Sequence, residues 1–141
     1  MLNEENYKEV INAYTTEKWK PLLELIPEIE DASSFGRVAG GQEIEEGVMQ
    51  FHYMISSPVV DLFRQLVYEL PVMVVFDWGR WKEGNRMLND ESFDFDTVDI
   101  PTKCKLITSI VRADRFSEGY LVSAFESGVI LRILKSIERG L

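Results

Sequence analysis

The densest apolar periodicity in the chain lies in its last third, from Thr102 to Ile137. Leu106, Ile107, Ile110 and Val111 recur at i, i+1, i+4 and i+5, the face of one helix, which Arg112, Asp114 and Arg115 close. A second apolar run, Tyr120, Leu121, Val122, Ala124 and Phe125, starts after Ser117-Glu118-Gly119. A third follows Gly128 and extends from Val129 to Ile137. The pattern predicts a helix, a tight turn, and a further helix kinked or broken near Gly128.

Upstream, Val59, Leu62, Phe63, Leu66, Val67 and Leu70 give a broad helical face behind Ser57-Pro58, a serine N-cap with proline at the first helical position. Pro71 ends that helix. Tyr7, Val10, Ile11 and Tyr14 form a narrower stripe for a first helix capped by Asn3. Trp19, Leu22, Leu23 and Ile26 mark a second, capped by Thr15 or Thr16, with Pro21 in its first turn and Pro27 disturbing it near Ile26. Asn85 to Leu88 reads as the end of a short helix, and Asp99 with Pro101 opens the C-terminal one.

Two stretches read as extended. Val72 to Phe76 is short, apolar and β-branched, and Val48 to Ile55 alternates with Met49, Phe51, Tyr53 and Ile55 on one side. Asp31 to Gln42 reads as a loop, and Asn89 to Asp99 as an acid-rich connection pinned by Phe93 and Phe95. The expectation is a mainly α, compact, bundle-like single domain spanning residues 1–141, with about six helices and one or two short extended segments.

Charge narrows the partners. With 24 acids against 15 bases, net −9, the average field repels a nucleic-acid backbone or an anionic membrane. No apolar run approaches the ~18 residues of a membrane span, and the acidic N-terminus lacks a signal-peptide pattern. The single cysteine, Cys104, excludes an intrachain disulfide and a thiol metal cluster. The reading is a cytoplasmic protein with no nucleic-acid or membrane partner.

Several chemistries fail on spacing. Gly40-Gly41 lacks the lysine and the preceding strand of a phosphate-binding loop. Counted from Asp94, a calcium-loop frame puts Asp99 where glycine is needed and Lys105 where the bidentate glutamate belongs. His52 stands alone, and nothing in the spacing pairs it with Cys104. The expectation is no metal and no cofactor, with catalytic residues unknown.

Two constellations remain. In Phe76–Trp81, FDWGRW, Trp78 and Trp81 lie three apart with Asp77 as a cap, the composition of a core or interface anchor or of a ligand wall. In the second, Arg112, Asp114 and Arg115 are followed by Glu118 and Glu126, charges set among apolar residues that must be paired if buried. They read as a salt-bridge clamp between helices, or as a pocket whose arginines orient a carboxylate or phosphate. Two functions follow. One is a protein-interaction or regulatory module, with a homodimer or an unidentified protein as partner. The other is an enzyme or binding protein for a small anionic ligand, its site between FDWGRW and the Arg112, Asp114, Arg115, Glu118 and Glu126 cluster.

The same segments carry a resemblance. Phe76, Asp77, Trp78, Trp81 and Gly84 match an FDWxxWxxG segment. Val111 to Phe116, Glu118, Gly119, Leu121, Ala124 to Glu126, Gly128, Ile130, Ile133 and Leu134 match VRADRFxEGxLxxAFExGxIxxIL. In these the chain resembles a small prokaryotic family known as a domain of unknown function. Val75 stands where that family usually has proline before the phenylalanine. The resemblance covers roughly the C-terminal half. It implies a shared fold and a shared site or interface at those segments, and it supplies no activity, cofactor or catalytic residue.

Overall fold

The computed structural model describes residues 1–141. The chain starts with a two-residue strand, β1 (Leu2–Asn3), followed by α1 (Tyr7–Asn12), α2 (Thr16–Leu23) and α3 (Leu25–Asp31). Asn3 does not cap α1. It pairs in β1, while its Oδ1 accepts the Glu5 amide in a local turn, so the helix starts only after Asn6. Thr15 does cap α2, accepting the Lys18 amide. Pro21 therefore falls in the second turn rather than the first, on the exposed side where the carbonyl it leaves unbonded can meet water. The break between α2 and α3 comes at Glu24, ahead of Ile26. A proline at 27 cannot continue a helix that includes residue 23, so the chain restarts at Leu25 with Pro27 in the first turn of α3.

Four short strands follow: β2 (Gly36–Ala39), β3 (Glu43–Glu45), β4 (Val48–Met49) and β5 (Tyr53–Ser56). β2 pairs antiparallel with β5, Gly36 opposite Ser56 and Ala39 opposite Tyr53, and β3 pairs with β4 beyond them. Asp31 to Gln42 is thus not all loop: four of its residues are ordered by pairing with β5, a long-range partner that local composition does not reveal. The alternation also resolves on the other face. Met49, Phe51 and Tyr53 face solvent, while Met54 packs on the core.

Ser57 and Pro58 open α4 (Pro58–Glu69), which buries Val60, Phe63 and Val67. The chain then runs extended into β6 (Val74–Val75), parallel to β1 with Leu2 opposite Val74. The buried Val74 amide donates to Thr108 Oγ1, which in turn donates to the Cys104 carbonyl, so this amide is satisfied away from water. A 3-10 turn, Trp78–Arg80, leads into α5 (Lys82–Asn89).

The longest helix, α6 (Ile100–Asp114), is capped by Asp99 at the Thr102 amide and runs through the centre of the molecule. Its apolar and small residues are buried on nearly every side from Leu106 to Val111. α7 (Tyr120–Glu126) and α8 (Val129–Gly140) fold back against it. Gly119 and Gly128 stand before these two helices at φ +87° and +86°, a left-handed backbone that side chains resist, so each reversal needs its glycine. One continuous core results, with Trp19, Phe63, Phe125, Leu106, Ile107 and Ile133 among its fully buried members. The fold is mainly α, and none of its helices is long and apolar enough to cross a membrane.

Candidate functional site

The acids of the second constellation are engaged with backbone amides, not with its arginines. Asp114 ends α6 and caps the next helix: Oδ1 accepts the Leu121 amide at 3.0 Å while Oδ2 meets Arg64 of α4 at 3.2 Å. Glu118 Oε1 accepts the Met54 amide at 2.6 Å, and Glu126 Oε1 accepts the Phe35 amide at 2.9 Å. These two glutamates, one just before α7 and one at its end, fasten the β2–β5 ribbon along that helix. Gly36 and Gly119 permit the approach, since a Cβ at either would press on Val122 or Met54.

Arg112 and Arg115 form no ion pair; the salt bridges of the fold use Arg64, Arg80, Lys105, Lys135 and Arg139. Arg115 is exposed and Arg112 half-buried. Beside them, Phe116 is 81% exposed and its ring lies 5.9 Å from that of Trp78. The FDWGRW segment therefore does reach the end of α6. It does so at an open surface of aromatic rings and cations.

Trp78 and Trp81 divide the roles of their motif. Trp81 packs on the core, edge-on to Phe76 at 5.5 Å and flat over Gly84, where a Cβ would sit 2.2 Å from the ring. Trp78 is half-buried, its ring meeting that of exposed Phe116. Asp77 does not cap the turn through its side chain; it pairs with Arg80 in solvent at 3.6 Å. Sequence reading passed over the residue that binds this corner together. The ammonium of Lys105 lies 4.6 Å from the Phe76 ring, 5.0 Å from Tyr7 and 5.9 Å from Trp81, and pairs with Glu4 at 3.0 Å. Its only sequence signal is a cation set, like Lys103, into a helix of mostly apolar and small residues.

The acid-rich connection is likewise structural. Asp94 holds the Asp96 amide, and Asp96 receives Arg139 and Ser136, which draw its carboxyl below the usual range, the guanidinium most. Lys103 is only 3% exposed; burial lowers its pKa, and its ammonium donates to the Ser136 carbonyl. Cys104 is fully buried, and burial pushes its thiol up, away from the reactive thiolate. His52 is exposed on the ribbon, and nowhere do three His, Cys, Asp or Glu side chains converge as metal ligands.

A cleft of about 490 Å³ opens between α5, α6, α7 and α8. Leu88, Ile110, Ala124 and Val129 form its apolar lining, with Arg132 and Glu91 among its polar groups. None of Asp77, Trp78, Trp81, Arg112, Asp114, Arg115, Glu118 or Glu126 lines it.

Of the ribbon, the sequence pattern marks Val48 to Ile55 as extended but not the partner strands β2 and β3 or the apolar face they leave open. Phe51 is 90% exposed, with Val38, Ile44, Val48 and Met49 also open to solvent, and Glu43, Glu45 and Glu46 exposed at the tip. Two-stranded pairing leaves an open edge on each side.

No curated protein and no solved structure matches the chain. A family model does, over residues 14–140, nearly the whole chain and both constellations. The chain belongs to a family of unknown function, DUF6508.

Proposed function

We propose that the protein is a non-enzymatic interaction module that acts as a homodimer, each ribbon docking on the aromatic and basic corner of the partner copy. The observation that carries this reading is the pairing of two unfilled surfaces of opposite character. The ribbon is apolar with an acidic tip, Ile44, Val48, Met49 and Phe51 beside Glu43, Glu45 and Glu46. The corner is aromatic and basic, Trp78 and Phe116 beside Arg112 and Arg115, which have no acid of their own chain. Apolar side chains this exposed on a monomer mark contact surfaces, and opposite charge sets their register. A two-stranded ribbon is marginal in isolation and gains from an added strand or a packed face. The buried, reduced Cys104 suits a cytoplasmic setting.

Light scattering coupled to size exclusion tests the reading. The wild type should elute as a dimer at micromolar concentration. Phe51→Ser and Phe116→Ser, both at exposed positions, should each give a folded monomer with an unchanged far-UV spectrum. A wild type that stays monomeric at about 100 μM, well above the Kd of a specific interface, would refute it.

A further inference from the structure

We propose that the cleft between α5, α6, α7 and α8 binds a small zwitterion with an apolar side chain, an α-amino acid of the leucine or phenylalanine kind. Its volume, about 490 Å³, falls within the range of small-molecule sites. The decisive group is Arg132. It forms no salt bridge, though the Asp90 carboxylate lies near enough to feel its charge, and it is held in place: Nη2 donates to the Phe93 carbonyl and the guanidinium lies 4.8 Å from the centre of the Phe95 ring. A guanidinium oriented by a carbonyl and a ring, with donors left over, is prepared for a carboxylate. Glu91 supplies the opposite charge on the same cleft and is also without a cation in its own chain. One cation and one anion in the lining of one cleft disfavour a dianion such as a phosphate ester and match a ligand that carries both signs. In the same cleft Leu88, Ile110, Ala124 and Val129 offer apolar surface to a side chain. Asn89, Tyr120, Ser123 and Ser127 supply the remaining polar rim.

The test is amide chemical-shift mapping of the whole chain with L-leucine and L-phenylalanine at about 10 mM, enough to register a millimolar Kd. Two analogues decide the class: 4-methylpentanoate, which lacks the ammonium, and 3-methylbutylamine, which lacks the carboxylate. The amino acids should shift Asn89, Glu91, Tyr120, Ser123, Ser127 and Arg132 and bind at least about fivefold more tightly than either analogue, the weight of one exposed ion pair. Glu91→Gln should erase the advantage over 4-methylpentanoate. Because Arg132→Gln also removes the Phe93 contact, Ser123→Phe serves as the second variant; it fills the cleft from an exposed position and should abolish the shifts in a folded protein. Absence of shifts in the wild type, shifts centred elsewhere, or equal binding of the deaminated acid would each overturn the proposal.

Discussion

Gly84 sits in the first turns of α5, where replacing glycine by alanine ordinarily stabilises a helix by up to about 1 kcal/mol. Here the sign should reverse. A Cβ at this position would lie 2.2 Å from Cε3 and 2.5 Å from Cδ2 of Trp81, atoms of a rigid ring rather than the end of a flexible chain. If the ring stays, the backbone must yield, and overpacking of this kind costs about 1–3 kcal/mol. If the ring swings away, it loses its edge-on contact with Phe76, worth about 0.5–1.5 kcal/mol, and its share of the Lys105 cation. Either route outweighs the helix gain, and Gly84→Ala should lower stability by about 1–2 kcal/mol net. Urea unfolding followed by far-UV circular dichroism measures it without relying on the displaced indole. A double-mutant cycle isolates the cause: in a Trp81→Ala background the same substitution should turn neutral or stabilising, a coupling of about 2 kcal/mol. A Gly84→Ala variant more stable than wild type, or equal effects in the two backgrounds, would refute the account.

Three further outcomes are expected. The Cys104 thiol is raised by burial, so its contribution is complete below the ordinary value near 9.0 and lost as pH climbs above it. Wild type should therefore lose about 1.4 kcal/mol per pH unit relative to Cys104→Ala above that value, and parallel stability–pH curves would contradict this. Ser57 occupies the N-cap of α4 but its buried hydroxyl has no hydrogen-bond partner, so Ser57→Ala should cost less than the usual ~1 kcal/mol of a lost cap; a larger loss in chemical denaturation would show that the hydroxyl does cap the helix. Glu126→Ala strands the part-buried Phe35 amide and should cost about 1–3 kcal/mol, with hydrogen exchange rising at the base of the ribbon, whereas Glu126→Gln keeps an acceptor and should lose much less.

The local signals of the sequence were those with a short range. The apolar faces of α4 and α6, the Asp99 cap, and the reversals at Gly119 and Gly128 were all legible, because each depends on residues within two turns of one another. So was the mainly α character, and the FDWGRW and Arg112–Glu126 segments stood out as the charged and aromatic exceptions to an apolar pattern. The pairing of the charges was not legible. Asp114, Glu118 and Glu126 invite arginine partners by proximity along the chain, but in the fold each finds a backbone amide closer at hand, two of them on the distant ribbon. Gly36–Ala39 looked like loop because its strand partner is β5, and Leu2–Asn3 looked like a helix start because the parallel edge of β6 is far away in sequence. The cleft around Arg132 and the exposed face of Phe51 exist only once elements distant in the chain are packed or left unpacked. Periodicity tells which residues prefer to leave water; which surfaces then remain uncovered is decided by the closing of the core, because burial is a property of the whole packed chain and not of any one segment.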